Sequence, residues 1–493
     1  MHLIDTFDRG VRQSPDGPCF ITADDAQTLS YREVAALSHR IAASLTDAGI
    51  GRGRKIGVLS PNDPMAFVCI LGALRADATW VPLNTRAVAK DLIALLDLTE
   101  CELLFYHPSL QSLVDEIRAA LPQIHTAVSL VEGGAADDAV LADWMAAEGT
   151  TVPRPEHDKE HIAILFPTGG TTGRSKAVQI THGMAELMNL GFAAHMPEPE
   201  SPPVMAMAAP MTHAAGPICF PVFARGGTVI VHDGVDPQKL LSSIQHHRVT
   251  RIFLPPTAIY ALLAQPNVRE FDYSSLRHFI YAAAPMSVSK LQEAMDVFGP
   301  VMTQTFGQAE APMILTVMSP QDHAHALEHA PERLASAGQP SLVADVAIMD
   351  DDGNLLPPGE VGEIVVRSSI TMPGYYKDEE QTATTRRAGG WHGTSDVGRM
   401  DEGGFVYIVD RLRDMIITGG FNVWPSEIEQ TIHAMDGVAD VAVIGLPDEQ
   451  WGEVVTAVVQ MKPGHDELDP AEVRAVCKEK LGPVKAPKQV MFR

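Results

Sequence analysis

The chain has 493 residues, too many for one ordinary core, so its length predicts two to four structural units. Hydrophobic residues make up 45% and charged residues 20%, as in a soluble globular protein, and the net charge is −25. That acidity excludes nucleic acid and anionic membrane as natural partners, and an anionic substrate must meet a local cluster of Lys and Arg. The opening "MHLIDTFDRG" has early acids and no apolar run, so it is not a signal peptide. Ser30 and Glu33 form a capping-box pattern. Val34, Leu37, Ile41 and Leu45 then share one helical face, and Gly49 stops the run. "KIGVLS" follows as a buried strand, "MAFVCILGALRAD" as a helix, "TWVPL" as a strand, "DLIALLDL" as a helix and "CELLFYH" as a strand. This alternation predicts parallel sheets covered by helices, resuming between 204 and 300. Residues 131–157 are polar and read as a connector. The apolar stretch "VMAMAAPMTHAAGPICFPVF" is broken by prolines and a histidine, so no membrane span is expected. Cys19, Cys69, Cys101, Cys219 and Cys477 form no CxxC pair and read as reduced, buried thiols of a cytoplasmic protein.

Near the end, "WPSEIEQTIHAM" and "DPAEVRAVCKEKL" read as helices and "VADVAVIGL" and "VVTAVVQM" as strands. The expected architecture is α/β, with a large N-terminal domain of β-sheets flanked by helices (residues 1–412). A small mobile C-terminal α+β domain (413–493) follows it.

Residues 167–176, "PTGGTTGRSK", end in a lysine. Backbone N–H groups of such a turn can converge on phosphate oxygens, and Thr and Lys add donors and charge. The Walker pattern fails, because Lys176 lies three residues after Gly173 and "AVQITHG" looks extended. Taken alone, the loop is either a phosphate cradle or a solvated turn.

Further segments decide between them. With "APMTHAAG" (209–216), "YAAAPMS" (281–287), "TFGQAEAP" (305–312), "GEIVVRSSITMPGYY" (362–376) and "GGWHGTSDVGRMDEGGFVYIVDRLRDMIITGGFNVWPSEIE" (389–429), the loop resembles, in order, the signatures of the adenylate-forming superfamily. That superfamily includes acyl- and aryl-CoA ligases, peptide-synthetase adenylation domains and beetle luciferases, and the resemblance covers almost the whole chain. It implies an ATP- and Mg²⁺-dependent acid–CoA ligase acting on an apolar carboxylic acid, fatty or aromatic. A carboxylate attacks the α-phosphate of ATP and expels pyrophosphate, and the thiol of coenzyme A then displaces AMP.

The resemblance assigns the β- and γ-phosphates to Thr168, Gly169, Gly170, Thr171, Thr172, Gly173 and Lys176. It assigns Mg²⁺ to Glu310, the adenine side to Ala282, Ala283, Ala284, Pro285, Phe306 and Gly307, and the ribose to Asp396 and Arg411. His213 would line the carboxylate end of an acyl pocket, with Gly216, Ile218, Cys219, Ala283 and Ala284 as candidate walls. Lys176, Glu310 and His213 are the catalytic candidates. Arg413 would be the hinge, and Gly419 and Gly420 would let the pantetheine arm pass. Ala309 stands where the family usually has Thr, and Ser395 where it usually has Gly. The pocket segment has no acid to pair with a substrate amino group, which argues against amino-acid substrates. The family continues past "APKQVMF" to a Gly-Lys whose lysine reaches the reacting carboxylate. No matching lysine precedes Arg493, and the reading here is a lost tail. Rival readings are an adenylation enzyme loading a carrier protein and a non-catalytic nucleotide- or acyl-binding homologue. A homo-oligomer is compatible with the sequence.

Overall fold

The computed structural model describes residues 1–493 except 170–174, 198–200, 214, 412–413, 419–420, 449–450 and 463. Among the described residues the strands form four sheets. The largest runs from Gln339–Pro340 across Ala311–Met318, Met302–Gln308, His278–Tyr281, Arg251–Leu254, Val204–Met207 and Thr228–Val231 to the N-terminal pair Pro18–Thr22 and Thr28–Ser30. Its central strands "TVIV", "RIFL" and "HFIY" are buried at every position and pair in parallel. Such unbroken apolar runs suit strands with both faces covered. A second sheet carries the parallel strands Lys55–Leu59, Thr79–Pro82, Leu103–Tyr106 and Thr126–Ser129.

Helix Pro64–Arg75 has almost every side chain buried, as an all-round apolar helix must. The Asp63 carboxylate accepts the N–H groups of Met65 and Ala66 at its start. Helix Tyr31–Asp47 has the expected capping box: Glu33 N–H donates to the Ser30 hydroxyl, and the Glu33 carboxylate accepts the Ser30 N–H at 2.7 Å. All five cysteines are free and buried, and no helix among the described residues is long and apolar enough to cross a membrane.

The structure departs from the expected alternation in three places. Strands Ile162–Gly169 and Ser175–Thr181 pair antiparallel, as a hairpin around the glycine loop. The connection is too short for a parallel crossover, which needs a dozen residues or more. A third sheet, Asp345–Met349, Gly362–Arg367, His392–Met400 and Val406–Arg411, is antiparallel throughout. Within the connector lie a short strand, Ala139–Val140, and a helical turn, Leu141–Trp144.

The last sheet belongs to the C-terminal unit. Val438–Asp448 and Gly452–Met461 form its long hairpin, with helices Pro425–His433 and Pro470–Leu481 packed on it. It has its own core, which includes Val423, Ile428, Ile432, Val455, Val473 and Cys477. Ser426 N–H donates to the Asp410 carboxylate at 3.0 Å, and the His433 ring lies 6.3 Å from Tyr260, tying the unit to the larger domain.

Candidate active site

Glu310 sits in the tight turn between Met302–Gln308 and Ala311–Met318, where Gln308 pairs with Ala311. Its side chain is buried, with 9% exposure. Tyr281 pairs with Gln304, so the turn holding Ala282, Ala283, Ala284 and Pro285 lies at the same end of the sheet as Phe306 and Gly307. This is the carboxyl end of the parallel strands, where open α/β sheets bind ligands. Ala283, Ala284 and Pro285 are exposed there, and Phe306 is half-buried against the main core. A Cβ on Gly307 would lie 2.5 Å from the backbone nitrogen of Met313, so only glycine fits. The Ala309 methyl packs against the main core.

The strap "TMPGYY" joins this turn to the glycine-loop hairpin. Met372 N–H donates to the Glu310 carbonyl at 2.7 Å. Gln179 N–H donates to the Gly374 carbonyl, and Tyr376 N–H to the Ala177 carbonyl. Tyr375 is thereby brought between Glu310 and Lys176. Its hydroxyl donates to Glu310 Oε1 at 2.7 Å, and the Lys176 ammonium lies 4.8 Å from its ring centroid. Lys176 also donates to Gln381 Oε1 at 2.7 Å. Burial and the Glu310 carboxylate hold the Tyr375 phenol far above its usual pKa, so it stays protonated. The Glu310 carboxylate, with Oε1 taken by the phenol and no donor to Oε2 among the described residues, offers one free hard oxygen. That suits Mg²⁺, which takes one or two carboxylates together with phosphate oxygens.

Asp396 is buried on His392–Met400, and its backbone pairs with Arg411 across the third sheet. The His213 ring packs 5.1 Å from Phe166, and burial lowers its pKa, so it is neutral at pH 7. Its segment is clamped by Asn62. The Asn62 Nδ2 donates to the carbonyls of Ala209 and His232, and its Oδ1 accepts Met211 N–H at 2.8 Å. Gly216 and Ile218 are buried beside it. Cys219 is fully buried in the main core, and burial raises the pKa of its thiol. Thr168 and Gly169 close the first strand of the hairpin. Gly170, Thr171, Thr172, Gly173, Arg413, Gly419 and Gly420 lie outside the described residues.

The structure therefore brings Lys176, Glu310 and the adenine-side turn to one edge. Reading the motifs missed Tyr375, Gln381 and Asn62. Tyr375 stood inside a recognised segment, but no spacing rule links it to residues 65 and about 200 positions away.

A Cβ on Gly216 would press into the Met211 carbonyl oxygen and sit 2.8 Å from the Trp80 ring. Gly216→Ala is expected to cost about 1–3 kcal/mol, as overpacking does, and to raise KM for the acid more than for ATP. Thermal melts and KM values for both substrates check this.

The AMP-binding enzyme family matches residues 7–376, and the AMP-binding enzyme C-terminal domain family matches residues 427–493. The chain belongs to the AMP-binding enzyme family. This AMP-binding enzyme is 35% identical over 458 residues to the medium/long-chain-fatty-acid–CoA ligase FadD8 of Mycobacterium tuberculosis, covering 90% of the chain and 78% of that relative. It is 35% identical over 468 residues to a feruloyl-CoA synthase of Amycolatopsis, covering 94% and 90%. The solved amide bond synthetase McbA of Marinactinospora thermotolerans superposes with a TM-score of 0.89 at 28% identity, covering 100% of this chain and 96% of that one. The enzyme class expected from the motifs, an AMP-forming acid–CoA ligase, is upheld by these relatives, which do not favour the carrier-loading and non-catalytic readings.

Proposed function

We propose that this protein joins an apolar carboxylic acid, fatty or aromatic, to CoA through an acyl-adenylate, with ATP and Mg²⁺. The observation that carries the reading is the meeting of the buried Glu310 carboxylate and the Lys176 ammonium on one tyrosine beside the glycine loop. An acid and a base held together at the carboxyl end of two sheets suit a metal–polyphosphate better than an apolar ligand.

In this reading Lys176 takes oxygens of the departing pyrophosphate as a point charge. Asp396 accepts both ribose hydroxyls, as one carboxylate can for a vicinal diol. Phe306 stacks on adenine, with Ala282, Ala283, Ala284, Pro285 and Gly307 shaping that side. Glu310 holds Mg²⁺, which neutralises charge on the polyphosphate when bound. Neutral His213 lines the carboxylate end of the pocket without drawing the acid into a salt bridge. The carboxylate oxygen bonds to the α-phosphorus as the bond to pyrophosphate breaks. The CoA thiolate then bonds to the acyl carbon, and AMP leaves. The reading includes a cytoplasmic location, supported by the free, buried cysteines.

The test is AMP release by the full-length protein from ATP and Mg²⁺ with a pool of fatty and aromatic acids, with and without CoA. Steady AMP release that requires both acid and CoA is expected, and dividing the pool names the acid. No AMP under any condition would sink the reading.

A further inference from the structure

The site contains a residue that none of the assigned roles uses. Tyr375 is buried, 6% exposed, and touches the two charged groups on which phosphate handling depends. Its hydroxyl donates to Glu310 Oε1 at 2.7 Å, and its ring lies under the Lys176 ammonium at 4.8 Å. The strap fixes the tyrosine in turn. Its own N–H donates to the Thr382 hydroxyl at 2.9 Å, and Thr382 donates back to the Asp378 carbonyl at 2.7 Å. Asp378 also caps the helix that carries Gln381, the second partner of Lys176.

We propose that Tyr375 is the positioning residue of the adenylation half-reaction, its phenol presenting Glu310 to the metal through a single oxygen and its ring aiming Lys176 at the phosphates. The inference rests on the ligase reading above and deepens it. A carboxylate with both oxygens free can chelate one ion, a geometry that large cations tolerate and Mg²⁺, with its strict octahedron, disfavours. Occupying Oε1 with a phenol leaves Oε2 as a monodentate ligand. Groups behind a metal ligand fix its orientation in this way. On the other side, a cation over an aromatic face is held in place without losing its N–H donors. An ammonium has three, of which Gln381 takes one and no other described residue takes the rest, which can meet phosphate oxygens.

The test uses the full-length protein and Tyr375→Phe, which keeps the ring and removes only the hydroxyl. Mn²⁺ titrated by electron paramagnetic resonance, with a non-hydrolysable ATP analogue present, reads the metal site without turnover. The expected result is Mn²⁺ affinity weakened roughly 10- to 100-fold, the range found when groups behind metal ligands are removed. The Mg²⁺ concentration for half-maximal AMP formation is expected to rise by a similar factor. Combined with Glu310→Gln, the second substitution should add little, because both act through one carboxylate. A general loss of fold would also slow thioester formation from preformed acyl-adenylate, whereas a loss of positioning would not. Unchanged Mn²⁺ affinity in Tyr375→Phe, or full additivity with Glu310→Gln, overturns the proposal. An inactive wild-type enzyme sinks the ligase reading instead, and the Mn²⁺ titration still decides the role of Tyr375.

Discussion

Glu310→Gln is expected to slow acyl-adenylate formation roughly 10²- to 10³-fold, or about 3–4 kcal/mol of transition-state stabilisation. The substitution keeps the side chain's shape and an acceptor oxygen for the Tyr375 hydroxyl, so packing should survive. What it removes is the formal charge in a site only 9% exposed, where little water screens the loss. Thioester formation from supplied acyl-adenylate needs no polyphosphate and should keep its rate. Rapid-quench measurement of the two half-reactions separates these outcomes. A variant that adenylates at the wild-type rate would remove Glu310 from the metal role. One slowed equally in both steps would mark a structural fault.

Much of this site was legible because local chemistry wrote it. The glycine loop stood out by composition but took its phosphate role only from the resemblance of the segments around it, and its departure from a P-loop showed in the extended run after Lys176, which is one arm of a hairpin. The capping box at Ser30 and the helix after Asp63 follow from side chains a few residues apart. What escaped depends on long closures. Tyr375 reaches Glu310 across 65 positions, and Lys176 reaches Gln381 across 205. The third sheet escaped because its strands pair antiparallel and do not follow the parallel β-α alternation. Backbone strain was equally hidden. Ala283, Met313 and Ser395 take φ of +72°, +65° and +60°, each at a cost of about 1–2 kcal/mol for a residue with a Cβ. Ala283 and Ser395 lie in recognised site segments, and strain of this kind gathers where a surrounding structure over-determines the backbone. The substitution of Ser for the family's usual Gly at 395 therefore has a conformational cost that the letters alone did not show.

Acid should unfold this protein early, and the cause lies in its buried histidines. Burial is the main reason that His232, His323 and His392 have pKa values pushed down to about 4, and His182 to about 2. Two of them have no room for a second proton. His182 Nδ1 accepts the Leu3 N–H at 3.0 Å, and His392 Nε2 is buried without an acceptor among the described residues and lies near Arg387. In the unfolded chain each imidazole titrates near 6.5, so below that pH the unfolded state binds more protons than the native one. Their stabilisation is complete above pH 6.5 and is lost as pH falls from 6.5 toward the folded values. Each histidine costs about 1.4 kcal/mol per pH unit in that window, and four together cost about 5 kcal/mol per unit. A domain's whole stability is of order 5–15 kcal/mol, so cooperative unfolding is expected between about pH 4.5 and 5.5. Denaturant melts at half-unit steps from pH 7.5 to 4.5 measure the slope. His392→Gln, which cannot take up the proton, should flatten that slope by about 1.4 kcal/mol per unit. A stability that stays level from pH 7 to 5 would show that these imidazoles find solvent or partners in the native state, and that the acid limit of the enzyme is set elsewhere.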